Sequence, residues 1–279
     1  MQTEFFLIFG GIILGCIGTL IGAGGGFVLV PMLLIFYPEF PPEIVTAISI
    51  AVVAANAISG TIAYKSSGRI DLKSGVMFAI YTIPGSILGV LLVPYVPHNL
   101  FNIVFGVLLL FLAVYLILKQ SKNSLEIKTI SILAGQTSRE IIDTNGEKFS
   151  YYFNKTKGKI ISLLVGFISP ILGIGGGIIH VPAMVNVLGF PVLIATATSQ
   201  FILMIMATAS VIVHYFQGSY NSNGVQHITL YLIVGVVFGA QIGAKLSKII
   251  KGQIIIKVLA ICLILVGIRI LLKSFEMFS

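Results

Sequence analysis

Long apolar runs separated by short polar links dominate the chain. Residues 44–64, 75–94, 100–118, 192–216, 228–244 and 254–272 form runs near the ~20 residues a helix needs to cross the hydrocarbon core of a bilayer. Each reads as a spanning helix. The remaining runs come as two pairs, 5–21 with 27–37 and 160–172 with 178–188, each pair interrupted by glycines. The first interruption is Gly22-Ala23-Gly24-Gly25-Gly26 and the second Gly173-Ile174-Gly175-Gly176-Gly177, followed by Val30-Pro31 and Val181-Pro182 respectively. Glycine is a poor helix former and tolerates backbone that other residues avoid, so a repeated cluster inside an apolar segment is a repeated helix break.

The match between the halves continues past the glycines. Thr46-Ala47-Ile48-Ser49 corresponds to Thr196-Ala197-Thr198-Ser199, Gly68 to Gly218, and Pro84-Gly85-Ser86-Ile87-Leu88-Gly89 to Phe238-Gly239-Ala240-Gln241-Ile242-Gly243. The offset is about 150 residues throughout, the duplication expected of secondary carriers whose substrate site lies between repeats. The expected fold is therefore all-α, a polytopic membrane protein of two homologous four-segment repeats, each opening with a glycine-broken or re-entrant helix. Residues 1–118 form the first repeat, 119–159 a cytosolic linker and 160–279 the second repeat.

The path through each break decides how the repeats relate. A single crossing makes them parallel. A re-entrant hairpin makes them inverted, leaves only Arg269 and Lys273 among the basic residues on the outer face, and puts Glu4, Glu39 and Glu43 outside with both termini. About 33 residues of straight helix would run about 50 Å, too long for one ordinary crossing. The hairpin reading is preferred, and both readings place 119–159 in the cytoplasm. In that linker Ile127, Ile130, Ile132 and Leu133, then residues 139–153, have strand character, and Asn145-Gly146 is a hairpin-turn signal. A small β-hairpin-like cap joining the halves is expected, with a regulatory element as the alternative.

Composition agrees with the run pattern. Only 9% of residues are charged and 57% are hydrophobic, against about 25% charged in a soluble domain. The net charge of +8 comes from Lys and Arg in links beside the spans, where cytoplasmic loops carry them, so nucleic acid is not the expected partner. Cys16 and Cys262 lie inside apolar runs without a ligand-spaced neighbour and read as core residues. The start Met1-Gln2-Thr3-Glu4 lacks the basic segment of a signal peptide.

A helix broken in the membrane exposes the N–H groups and positive dipole end of its second half, and glycines admit an anion close to that backbone. Two such ends, at Gly24, Gly25 and Gly26 and at Gly175, Gly176 and Gly177, are expected to converge near the midplane. No Lys or Arg lies inside an apolar run apart from Lys257 and Arg269. The site would therefore hold an anion by dipoles rather than by a buried cation. Ser49, Thr46, Asn56, Thr196, Thr198, Ser199, Gln200 and Gln241 are the side chains available to complete it. For the Ser and Thr residues, bonds to preceding carbonyls or neighbouring helices are the alternative role.

Close helix packing is the competing account of Gly18, Gly22, Gly26, Gly173 and Gly177, which are spaced by four. It leaves Gly24, Gly25, Gly175 and Gly176 unexplained. Neither cluster is followed by Gly-Lys-Ser/Thr, so neither is a nucleotide P-loop. His180 and His214 stand in apolar runs and are candidates to carry a coupling proton, with a bond to a neighbouring helix as the alternative. The runs offer no carboxylate relay, metal-ligand cluster or nucleophile–base pair. An enzyme is not expected, nor is a cofactor or a bound metal.

The paired glycine clusters with their Val-Pro, Ala197-Thr198-Ser199, His214 with Gly218, and residues 239–246 resemble the sulfite exporter (TauE/SafE) family, also called the toluenesulfonate uptake permease family. The resemblance spans nearly the whole chain outside 119–159. It implies a multi-pass protein of the prokaryotic cytoplasmic membrane that moves small organosulfur or carboxylate anions, sulfite, sulfonate and sulfoacetate among them. Alternating access driven by a proton or sodium gradient, or by the substrate's own gradient, is the expected mechanism. An anion-selective channel and a non-transporting sensor or scaffold are the alternatives. The expected partners are the small anion, the lipid bilayer and a coupling ion, with room for a homodimer. The halves are not chemically equal, because Ile48 and Ile87 stand where the second half has Thr198 and Gln241. Residues proposed to touch substrate are Gly24, Gly25, Gly26, Ser49, Asn56, Gly175, Gly176, Gly177, His180, Thr198, Ser199 and Gln241.

Overall fold

A computed structural model of the chain describes residues 2–120, 136–247, 249–250 and 252–276. Among these, ten α-helices and one two-stranded sheet form in the order α1 (Gln2–Ile21), α2 (Gly26–Phe36), α3 (Pro42–Lys65), α4 (Leu72–Leu92), α5 (His98–Gln120), β1 (Gln136–Ile142), β2 (Lys148–Asn154), α6 (Lys155–Leu172), α7 (Gly177–Asn186), α8 (Val192–Phe216), α9 (Asn223–Leu246) and α10 (Gly252–Glu276). Helices α1, α3, α4, α5, α8 and α9 are long and apolar enough to cross a membrane. The short helices α2 and α7 follow the two glycine clusters, as the half-length runs predict. Helix α6 starts earlier than the apolar pattern suggests. Asn154 Oδ1 accepts the N–H of Lys157 at 3.0 Å and starts the helix in the polar link.

Helices α3 and α8 cross at the centre. In α3, 83% of the spanning window is buried, against 33% in α5 at the rim. Around this pair α1 packs on α9, α4 on α6 and α5 on α10, while α9 also covers α3 and α4 covers α8. Two of these contacts are parallel and backbone-close. Gly11 and Gly15 of α1 face Gly235 and Val236 of α9, and Gly85 and Gly89 of α4 face Leu163 and Phe167 of α6. Small residues let helices approach in lipid, where dispersion contacts and backbone proximity replace the hydrophobic effect as the driving force.

Helix α1 runs beside α9 to Thr19, whose carbonyl accepts the Tyr64 hydroxyl near the end of α3 at 2.9 Å. The chain then turns back. Gly26 lies against Val53 in the middle of α3, and α2 returns toward the start of that helix. The second broken segment does the same from the other face. Gly173 lies against Thr46 near the start of α3, and α7 ends near the sheet, where Gly189 faces the Tyr152 carbonyl. Both segments are helical hairpins.

The strands pair antiparallel from Gln136 with Asn154 to Ile142 with Lys148, turning at Gly146, whose φ is 81°. The strand character of Ile127, Ile130, Ile132 and Leu133 lies outside the described residues. The hairpin docks on the loop between α3 and α4. Arg69 and Asp143, 3% and 4% exposed, form an ion pair at 2.9 Å, and Arg69 Nη1 also donates to the Ser247 carbonyl after α9 at 3.3 Å. Tyr151 donates to Asp71 Oδ2 at 2.8 Å, while Asp71 Oδ1 accepts the Ser74 N–H and caps α4. Burial by itself raises the Asp143 carboxyl, but Arg69 and the N–H groups of Glu147 and Asn145 outweigh it and hold the group below its ordinary value of 3.8.

That balance generates two expectations. Asp143→Ala strands a buried guanidinium and should cost about 3–5 kcal/mol, read as a lower melting temperature and faster hydrogen exchange across residues 136–154. Because the folded-state value is depressed, the stabilisation from Asp143 is complete above the unfolded value and is lost as pH falls through the folded one. Undocking of the hairpin on acidification therefore belongs below about pH 4, and a chain that loses it near neutrality would contradict the assignment.

Candidate functional site

Each glycine cluster is a turn closed by its own helix. The N–H groups of Ala23 and Gly24 both donate to the Gly18 carbonyl, at 2.8 and 3.1 Å, and that of Ile174 donates to Ser169 at 3.1 Å. Gly25 and Gly176 then take φ values of 83° and 80°, where a side chain is strained. Regular bonding resumes with Val28 donating to Gly25 and Ile179 to Gly176. The intervening N–H groups of Gly25, Gly26 and Phe27, and of Gly176, Gly177 and Ile178, have no backbone acceptor among the described residues. They are the unbonded first amides of α2 and α7.

The two turns meet. A Cβ on Gly26 would lie 2.6 Å from the Gly173 carbonyl oxygen, and one on Gly177 would overlap that of Gly22. Each turn is also held by a serine from the opposite half of the chain. Ser49 of α3 donates to the Gly173 carbonyl at 2.6 Å, and Ser199 of α8 donates to the Gly22 carbonyl at 3.0 Å. Val53 and Leu203 fill the centre, so that a Cβ on Gly24 or Gly175 would strike Val53 at 2.7 or 2.5 Å.

One turn toward the sheet side of Val53 and Leu203 stands a polar group. Thr19 Oγ1 donates to Asn56 Oδ1 at 2.8 Å, and Gln200 Nε2 donates to the Gly18 carbonyl at 3.1 Å. Both carboxamides are fully buried. The hydrogen bonds that close and brace the turns come from backbone and from Ser, Thr, Asn, Gln and Tyr side chains, with no charged partner among the described residues.

Of the residues proposed from sequence, the structure brings together Gly24, Gly25, Gly26, Gly175, Gly176, Gly177, Ser49, Ser199 and Asn56. The contacts of the other three lie elsewhere. Thr198 Oγ1 accepts the Asp71 N–H at 3.0 Å at the start of α4. His180 pairs with Ser162 Oγ at 3.2 Å and packs on Phe78, between α6 and α4. Gln241 donates to the Ser59 carbonyl and hydroxyl at 2.9 and 2.8 Å, between α9 and α3. Thr19, Val53 and Leu203 were not singled out from sequence. Thr19 had a signal, a hydroxyl three residues before the first glycine of the cluster. Val53 and Leu203 had none, because nothing in an apolar run marks which residue faces a turn from another helix.

The comparisons fit this architecture. The family model described as sulfite exporter TauE/SafE matches residues 7–270. A probable membrane transporter protein of Bacillus subtilis, YunE, is 31% identical over 95% of this chain and 96% of its own length. A second from a Sinorhizobium species, ORF9, is 26% identical over 95% of this chain and 91% of its own length. No solved structure matches. The chain is a multi-pass membrane protein that belongs to the sulfite exporter TauE/SafE family.

Proposed function

We propose that the protein is a secondary transporter for small oxyanions of the sulfite, sulfonate or carboxylate class, with the anion received by the N-termini of α2 and α7. The observation that carries this reading is the meeting of two glycine turns whose first amides are unbonded. Anions are stabilised at such ends by N–H groups and by the dipole. A site without a buried cation binds loosely enough to release.

The reading includes an inverted repeat of two units, α1 to α5 and α6 to α10. The pairing of contacts supports it: α1 on α9 corresponds to α6 on α4, α3 on α9 to α8 on α4, and α2 on α3 to α7 on α8. So does the exchange of Ser49 and Ser199. Helices α3 and α8 run in opposite directions, Glu43 at the start of α3 accepting from Ser219 beyond the end of α8. The face bearing the sheet carries Lys65, Arg69, Lys73, Arg139, Lys148, Lys155, Lys157, Lys159 and Lys245, which supports a cytoplasmic side there by the positive-inside rule. Alternating access then amounts to rocking one unit against the other about the shared turns.

Uptake of sulfite or an organosulfonate into proteoliposomes should saturate and show counter-substrate exchange. Gly176→Leu should abolish it, because the new side chain meets left-handed backbone and Ser169, Val165 and Met206 at once. Transport that ignores the anion, or a conductance far above carrier turnover, would refute the carrier. In intact cells, Thr3→Cys and Glu39→Cys should both react with an impermeant thiol reagent while Asn145→Cys reacts only after lysis. Labelling of positions 3 and 39 from opposite sides would refute the inverted topology.

A further inference from the structure

The layers on the two sides of Val53 and Leu203 differ in chemistry. Toward the outer face the next turns of α3 and α8 present Ile50 and Met206, which join an apolar cluster with Val53 and Leu203. Toward the cytoplasmic face they present Asn56 and Gln200. Gly60 fixes how these two stand: it lies one turn beyond Asn56 on α3, and a Cβ there would meet Thr19 Oγ1 at 3.1 Å and Gln200 Cδ at 3.3 Å. Thr19 therefore stands next to both carboxamides. Each carboxamide is pinned by one arm, Asn56 through Oδ1 to Thr19 and Gln200 through Nε2 to Gly18. The free arms, Asn56 Nδ2 and Gln200 Oε1, are buried without a partner, a costly arrangement that points to a ligand. Further along α3, Thr61 Oγ1 is likewise unpartnered and lines a cleft of about 360 Å³ with Lys65, Phe201 and Met204.

We propose that Asn56 and Gln200 form a subsite for the singly protonated form of an oxyanion, Asn56 Nδ2 donating to a charged oxygen and Gln200 Oε1 accepting the ligand's O–H. This rests on the anion-transport reading and deepens it. A carbonyl acceptor repels a fully ionised oxyanion and rewards one that keeps its proton. The proton then crosses on the substrate, and no titrating side chain is needed at the site. The groups around the layer agree. Tyr64 spends its hydroxyl on Thr19 O. Cys16 on α1 and Tyr64 ordinarily ionise above neutrality. Asp71 at the start of α4 is engaged by Tyr151, Ser74 and Arg139. Lys65 stands at the cleft mouth, and the buried histidines contact Ser162 and Ser219 instead.

The test is equilibrium binding to the purified full chain of inorganic sulfite, whose second ionisation falls near neutrality, and of methanesulfonate, which has no O–H. Affinity for total sulfite should weaken about tenfold per pH unit above that ionisation, and methanesulfonate should bind at least about tenfold more weakly than hydrogensulfite at every pH. Gln200→Met should flatten the pH slope and remove the discrimination, whereas a purely structural loss would lower the melting temperature and leave the slope. Asn56→Leu should weaken all the anions while keeping the slope. Sulfite binding by the unmodified protein that is independent of pH, or a Gln200→Met variant that keeps the slope, overturns the subsite and leaves the transporter standing. If neither anion binds at any pH, the anion-transport reading falls with it.

Discussion

Everything in this protein is arranged around an exchange of hydrogen bonds between its halves. A helix that stops inside a membrane leaves carbonyls and amides that lipid cannot satisfy. Here the carbonyls are met across the molecule: Gly173 by Ser49, and Gly22 by Ser199. Each turn is closed by amides of its own segment, but its outlying carbonyl is satisfied only when the other half is in place. The requirement for glycine follows from this mutual approach, since at Gly26 and Gly177 the space a methyl group would occupy holds the other turn's backbone.

The amides left over after this exchange give the centre its chemistry. They belong to α2 and α7, whose dipoles bring positive ends to the same place without a fixed charge. The walls of the centre are unlike each other. Ile50 and Met206 stand on one side, whereas Asn56 and Gln200 stand on the other. The centre thus has one apolar and one polar side, and the difference resides in four residues on two helices. In the proposed transport cycle that asymmetry gives the two access routes different contacts with the substrate.

The sheet binds parts distant in sequence at one end of the helix bundle. Arg69 reaches both Asp143 of the sheet and the Ser247 carbonyl beyond α9, and Asp71 is shared by Tyr151 and the first turn of α4. These contacts replace water with charged and hydrogen-bonded partners at buried positions, where an ion pair lacking either member is strongly unfavourable. The linker therefore fixes the spacing of the α3–α4 loop and the end of α9, and any movement of one half against the other has to carry it along.

The membrane class, most of the spans, the two breaks and the family resemblance were legible in the chain, because run length, charge placement and glycine clusters are local properties that a bilayer constrains directly. The turn at Asn145-Gly146 was legible because such a turn needs the positive φ, 81° at Gly146, that glycine adopts without strain. Ser49, Ser199 and Asn56 were visible as polar residues in apolar runs. Their roles were not, since a hydroxyl in a membrane helix bonds its own backbone as readily as a neighbour's. Helix packing set Ser49 and Ser199 across the halves and turned Thr198, His180 and Gln241 to α4, α6 and α3. It also decided the reversal of the chain at each break and the joining of Thr19, Asn56 and Gln200. Those outcomes depend on which helix faces fall together across 18 to 182 residues of chain, a matter of packing that no local pattern encodes.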